Sequence, residues 1–104
     1  MALKSPLPIT WSPKSAKSFD NIVKYLEAKF ADREVQKFIR QTVKILEYIA
    51  QNPNMFRSSV NSKHKHVVIL NKHTTLYYQY KPIKKEVELL LFWDNRQDPK
   101  RLKY

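Results

Sequence analysis

The 104-residue chain contains neither cysteine nor glycine. Without cysteine it forms neither a disulfide framework nor a thiolate metal site, so nothing ties it to an oxidising compartment. Without glycine it has no glycine-rich phosphate loop, which excludes nucleotide binding of the P-loop or dinucleotide type. No run approaches the about 20 apolar residues of a membrane span, and Met1–Pro6 lacks the apolar region of a signal peptide. We therefore expect a soluble, cytoplasmic protein.

Acidic residues are also scarce. Nine Asp and Glu oppose 20 Lys and Arg, which gives a formal net charge of +11. No acidic residue lies between Glu47 and Glu86, a stretch that carries seven Lys and Arg and all three histidines. Such a surface attracts phosphates and acidic proteins, although a lysine-rich surface can also serve solubility alone. The charge predicts an anionic partner without identifying it.

The length fits one domain over residues 1–104. Its first element is a predicted strand over residues 7–11, because apolar side chains alternate there with proline and threonine. Pro8 indicates that this strand pairs on one side only, since proline has no N–H to donate to a second neighbour.

Two helices are predicted next, over residues 13–31 and 33–51. Ser12 supplies a capping side chain and Pro13 fits the first helical position, while Asp32 is the predicted N-cap of the second helix. Apolar residues recur every three or four positions in both segments, as on the buried face of a helix. The very short link between them requires an antiparallel hairpin.

Three runs rich in β-branched and aromatic residues predict an antiparallel meander over residues 64–93, after a polar stretch and before a charged tail over 94–104. Asn71 is the residue best able to adopt a left-handed conformation in the first turn. The predicted fold class is therefore α+β. A short N-terminal strand and an antiparallel two-helix hairpin pack on a three- to four-stranded antiparallel sheet.

Two histidines, His64 and His66, lie on one face of a predicted strand and could begin a metal site. Zinc needs three or four ligands, and no cysteine is present to complete the set. We therefore expect neither a metal nor another cofactor, and we place both histidines at the surface.

RNA cleavage through the 2′-hydroxyl needs a base, an acid and cations for the phosphorane, and lysine, histidine, arginine and tyrosine can fill these roles without a metal. Tyr78 and Tyr80 are more typical of the core, because they share a strand face with Leu76. The catalytic candidates, whose individual roles stay open, are Lys63, Lys65, His73 and Arg96. The surface that we predict to bind the target comprises Lys63, His64, Lys65, His66, Lys72, His73, Arg96, Lys100 and Arg101.

Several short motifs point to a family. The N-terminal half contains Trp-Ser-Pro-Lys-Ser-Ala at 11–16, Tyr-Leu at 25–26 and Leu-x-x-Ile-Ala-x-x-Pro at 46–53. The C-terminal half contains a histidine followed by an apolar and aromatic run over 72–78, and a segment over 91–102 in which the end of the last strand is followed by Arg-x-Asp-Pro. Together these motifs resemble the ParE-like, plasmid-stabilisation type of toxin in the RelE/ParE superfamily, over residues 9 to 102.

The resemblance implies the fold already predicted and a type II toxin–antitoxin system, in which a toxin is held inactive by a labile antitoxin encoded beside it. ParE-like members poison DNA gyrase, whereas RelE-like members cleave mRNA in the ribosomal A site. The Arg-x-Asp-Pro motif favours the first. For the second, Lys63, Lys65 and Arg96 could occupy places comparable to RelE-type site residues, but arginines on the middle strands are missing.

We therefore expect a growth-inhibiting gyrase poison that forms a complex with a cognate antitoxin. The alternative is a ribosome-dependent, metal-independent mRNA endonuclease, and a further alternative is a non-toxic RNA- or DNA-binding module. Arg96 is a candidate site residue under both toxin hypotheses, because a guanidinium after the last strand can bind a phosphate or a carboxylate bidentately. Its other possible role is a surface pair with Asp94 or Asp98, worth under about 1 kcal/mol.

Overall fold

The computed structural model describes residues 6–59 and 62–96, except for the side chains of Ser59, Ser62 and Lys63. The elements of the described residues follow in the order β1 (Ile9–Trp11), α1 (Pro13–Lys29), α2 (Asp32–Gln51), β2 (Arg57–Ser59), β3 (Ser62–Asn71), β4 (Thr74–Lys81) and β5 (Glu86–Asp94). The strands form a sheet in the order β1-β5-β4-β3-β2, and the two helices pack on one of its faces. In the described part, no helix is long and apolar enough to cross a membrane.

The α+β class and the helical hairpin on a sheet are confirmed, but the predicted three- to four-stranded antiparallel sheet is wrong in two details. The sheet has five strands among the described residues, and β1 runs parallel to β5. A parallel neighbour is possible because the whole hairpin of α1 and α2 lies between β1 and the later strands, and such a pairing needs a long crossover. The strand that sequence reasoning missed is β2, a polar edge strand without apolar alternation.

The two helix starts differ in how they are capped. At α1, Ser12 is the N-cap as predicted, and its Oγ accepts a hydrogen bond from the backbone N–H of Ser15 at 3.0 Å. At α2 the prediction was wrong: Ala31 occupies the N-cap position without a side-chain bond, and Asp32 is the first helical residue. The carboxylate of Asp32 still lies in the first turn, where the positive end of the helix dipole stabilises its negative charge. The linker shortens α1, which ends at Lys29 rather than at residue 31.

Two serines, at the N-cap and in the second turn of α1, form hydrogen bonds with the backbone at the outer edge of β5. Beyond the three residues of β1, the backbone N–H of Phe92 donates to Ser18 Oγ at 3.0 Å. Ser12 donates through its backbone N–H to the carbonyl of Leu89 at 3.1 Å and through its Oγ to that of Leu90 at 3.3 Å. Edge backbone groups that lack a neighbouring strand must find other partners. The short β1 is therefore continued by side chains of a helix.

An aromatic cluster joins four elements and extends from the buried Phe38 and Phe92 to Trp11, which is 40% exposed. The rings of Trp11, Phe19, Phe38 and Phe92 belong to β1, α1, α2 and β5, and four ring pairs among them have centroids 5.1 to 5.4 Å apart. Such pairs contribute about 0.5–1.5 kcal/mol each beyond the burial of their area. The apolar stripes of both helices therefore meet the same region of the sheet.

The hairpin turns form without glycine. Contrary to the prediction, Asn71 has no left-handed backbone; its Oδ1 instead accepts a hydrogen bond from the backbone N–H of His73 at 2.8 Å and shapes the turn between β3 and β4. In the turn between β4 and β5, Lys85 has a φ of 54°. A non-glycine residue pays a modest energy for this conformation.

We expect Ser18→Ala to destabilise the fold by about 1–3 kcal/mol, because the N–H of Phe92 loses its acceptor at a half-buried position. The better helix propensity of alanine offsets about 0.5 kcal/mol of this loss. Urea unfolding measures the change, and hydrogen exchange should show faster exchange at the Phe92 amide. Lys17→Ala, at an exposed position of the same helix, is the control. Unchanged protection of that amide would contradict the role of Ser18.

Candidate functional site

Those predicted target-binding residues that the structure describes fall into two separate groups. Lys72 and His73 lie in the turn between β3 and β4, and Arg96 follows β5 beside them, since Asn95 N donates to the His73 carbonyl at 2.8 Å. Lys65 lies six residues before the end of β3, about 20 Å along the strand. Two groups of basic residues therefore stand at opposite ends of the sheet.

In the group far from Arg96, the predicted surface position of His66 is wrong. His66 is 2% exposed, because the even-numbered residues of β3 face the helices, as do Val68 and Leu70. Its Nδ1 lies 3.0 Å from the carbonyl oxygen of Phe56, and its Nε2 is buried without a hydrogen-bond partner among the described residues. Lys65 faces the opposite side of the sheet, where it is half-buried and aligned with Gln79.

His66 stacks on Tyr78 in the core, with ring centroids 5.0 Å apart and an interplanar angle of 16°. The Tyr78 hydroxyl donates to the carbonyl of Pro53 at 2.8 Å. Burial raises the pKa of Tyr78 above its ordinary value, so the hydroxyl stays a donor. The two rings therefore fasten the segment between α2 and β2 through its carbonyls, and the predicted core role of Tyr78 is confirmed.

The group near Arg96 lines a groove of about 490 Å³. The groove lies between the end of α1, the start of α2 and the turn between β3 and β4. Its apolar lining residues are Ile22, Leu26, Phe30 and Phe38. Its polar and charged lining residues are Glu34, Lys37, Gln41, Asn71, Lys72, His73, Thr74 and Arg96. An apolar floor with a rim of mostly positive charge is suited to an anionic ligand that also carries apolar groups.

Arg96 is held in place on three sides. Its Nε and Nη2 donate to the two carboxylate oxygens of Asp94 at 2.9 and 2.8 Å, and its Nη1 donates to the Tyr25 hydroxyl at 3.2 Å. Its Cζ also lies 4.7 Å from the centroid of the Tyr25 ring. The surface pair with Asp94 that the sequence allowed is therefore present, and it engages the edge of the guanidinium formed by Nε and Nη2.

Hydrogen bonds from Arg96 hold the pKa of Asp94 below its ordinary value, although partial burial of the carboxylate opposes this shift. The same hydrogen bonds raise the pKa of Arg96. Both side chains are partly exposed, so solvent screens the pair and limits its contribution to about 1 kcal/mol or less. Its main effect is to fix the direction of Arg96.

The remaining predicted site residues are not part of the groove or lie outside the described residues. Lys63 is on β3, but its side chain is not among those described, and neither Lys100 nor Arg101 falls within the described residues. His64 is half-buried and has an interaction partner. Within residues 6–59 and 62–96, no three His, Cys, Asp or Glu side chains cluster as metal ligands.

Sequence reasoning gave no site role to Lys37 or to Tyr25, although Tyr25 belongs to one of the motifs that resemble the family. The sequence does contain a signal for the first: Glu34, Lys37 and Gln41 follow a helical spacing one residue away from the core stripe of Val35, Phe38 and Thr42. That spacing places Lys37 at the rim of the groove. The contact of Tyr25 with Arg96 joins positions 71 residues apart and has no local signal.

No family model and no curated protein matches the sequence. Solved structures with a similar fold include the following two. A chain of the chromosomal ParDE TA system from P. aeruginosa gives a TM-score of 0.69 at 16% identity, covering 85% of this chain and 95% of that one. The YoeB dimer from Staphylococcus aureus gives 0.59 at 15% identity, covering 89% of this chain and 100% of that one. The chain shares the fold of these two structures, in agreement with the fold that the resemblance of its motifs implied.

We expect Tyr78→Phe to cost about 1–2 kcal/mol, because the Pro53 carbonyl loses its buried donor. Tyr48→Phe is the matched control, since the Tyr48 side chain is 43% exposed. Thermal and urea unfolding measure both variants, and the loss corresponds to roughly 4–8 °C per kcal/mol for a chain of this size. Equal stabilities of the two variants would contradict the proposed anchoring of the segment.

Proposed function

We propose that this protein is the toxin of a type II toxin–antitoxin pair, that it inhibits growth by poisoning DNA gyrase, and that a cognate antitoxin neutralises it. Three observations support the toxin assignment: the RelE/ParE fold, the motifs that resemble ParE-like toxins, and a net charge of +11. Fold alone does not determine a target, because one fold can carry different functions. The choice of target rests on the placement of the candidate residues.

The observation that carries the choice of gyrase is the separation of the catalytic candidates. A general base and a general acid that cleave one phosphodiester must each come within hydrogen-bonding distance of it. Lys65 lies about 20 Å along the strand from the turn that carries His73, and Arg96 is beside that turn. This arrangement does not favour metal-independent cleavage of mRNA by these residues acting together. It leaves the binding of a macromolecular target as the better supported activity.

The proposed antitoxin fits the charge and shape of the surface. The groove has an apolar floor, and Glu34 is its one acidic residue among the described lining residues. Exposed lysines attract an acidic segment over distance, while the apolar floor supplies contacts that persist in salt. We therefore propose a hetero-oligomer of this chain with an acidic antitoxin.

Expression of the chain alone should arrest bacterial growth, and co-expression of the small reading frame beside its gene should restore it. Purified protein should inhibit supercoiling by gyrase or trap cleaved DNA, and should leave mRNA intact on purified ribosomes. Lys65→Ala should keep most of the toxicity, because Lys65 is far from the groove.

A frameshifted gene at the same expression level is the control for that experiment. Cleavage of mRNA within codons, abolished in Lys65→Ala, would replace the gyrase proposal with the ribosome-dependent one. Normal growth at high soluble yield would contradict the toxin assignment as a whole.

Association with the antitoxin should slow as salt rises, because opposite charges steer the encounter and ions screen them. Stopped-flow rates between about 50 and 500 mM NaCl should fall by roughly tenfold or more, while dissociation rates change little. Rates that are independent of salt, or an antitoxin segment of net positive charge, would contradict electrostatic recognition.

A further inference from the structure

Arg96 retains unused hydrogen-bonding capacity at the groove. A guanidinium has five N–H groups, and three of those on Arg96 are taken by Asp94 and Tyr25. One N–H on each terminal nitrogen has no partner among the described residues. Arg96 lines the groove, so these two N–H groups remain available to a ligand bound there while Asp94 stays in place.

Asp94 and Tyr25 fix Arg96 before any ligand arrives. Asp94 Oδ1 accepts from both the backbone N–H and the Nε of Arg96, each at 2.9 Å, and Tyr25 holds the guanidinium through its hydroxyl and its ring. A free arginine loses considerable side-chain freedom on binding, so this arrangement lowers the cost of recognition. Asp94 also compensates much of the charge of Arg96. The long-range attraction of an anionic ligand therefore comes from Lys37 and Lys72, whereas Arg96 orients the ligand through hydrogen bonds.

The lining of the groove favours a peptide over a nucleic acid. Ile22, Leu26, Phe30 and Phe38 form an apolar floor, and the side chain of Phe30 is 50% exposed. A phosphate backbone gains little from such a floor and is bound best by uncompensated cations. A peptide that carries an apolar side chain close to a carboxylate uses both the floor and the rim.

We propose that Asp94 and Tyr25 are positioning residues that present Arg96 as a hydrogen-bonding fork, and that the groove binds an acidic antitoxin segment whose apolar side chain fills the floor and whose carboxylate binds this fork. The identity of the partner rests on the proposed function, whereas the chemistry of the groove does not. The two are tested separately.

The binding test uses the full chain and synthetic peptides that tile the product of the reading frame beside its gene. Fluorescence anisotropy gives each Kd, and amide shifts locate the peptide. We expect an acidic peptide to shift the signals of Leu26 and Phe30. Arg96→Lys should weaken its binding at least tenfold, Asp94→Asn and Tyr25→Phe should weaken it about threefold, and the matched control Arg40→Lys should change it less than twofold. Arg40 is exposed and outside the groove.

A double-mutant cycle separates recognition from a merely structural role. A peptide with glutamine in place of the recognised glutamate should bind the original chain and Arg96→Lys with equal affinity. Additive losses, an unchanged Kd in Arg96→Lys, or no peptide that shifts the groove signals would overturn the proposal. A single-stranded DNA probe that shifts the amide signal of Arg96 more than any peptide does would also overturn the proposal.

Growth assays keep the two proposals distinguishable. If the chain arrests growth and is neutralised, but the Kd of the peptide is unchanged in Arg96→Lys, only the proposal on Arg96 fails. If the chain is harmless and an acidic peptide still binds through Arg96, the toxin proposal fails and the fork remains.

Discussion

The fold depends on how the outer edge of β5 is satisfied. β5 is a buried strand whose neighbour β1 has only three residues, and Ser12 and Ser18, at the N-cap and in the second turn of α1, form further hydrogen bonds with its edge. This requirement places α1 alongside β5 and fixes its rotation, because Ser15 must be buried while Ser12 and Ser18 reach the strand. The aromatic cluster and the second helix are then packed against a helix that is already oriented. The groove is a consequence of the same placement.

Sequence periodicity was sufficient for the helices and the class of the fold, because a three- and four-residue apolar spacing needs no long-range information. It was insufficient for β2, whose Arg-Ser-Ser sequence has no apolar face, and for the parallel pairing of β1, which depends on tertiary packing. His66 shows a further limit. Its position on an alternating strand predicts only that it shares a face with Val68, and sequence alone did not reveal that this was the core face.

The candidate site was partly predictable. Lys72 and His73 lie in a turn and Arg96 follows the last strand, so their proximity follows from an antiparallel meander. The separation of Lys65 from them follows from the length of β3, which charge counting ignores. The contribution of α1 was not predictable, since the contact between Tyr25 and Arg96 spans 71 positions. The basic composition therefore indicated an anionic partner, whereas the positions of the two helices determine where the groove for it lies.

The bridge between Tyr25 and Arg96 also has a consequence for cooperativity. One end belongs to the first helix and the other to the last residues of the described chain, so the groove exists only after the sheet and the hairpin have docked. A partially unfolded molecule has no such groove, and a ligand bound there favours only the complete fold. Such a ligand stabilises the native state by mass action, by about 2.7 kcal/mol at one hundred times its Kd. A bound partner would thereby also slow local opening and proteolysis of this chain.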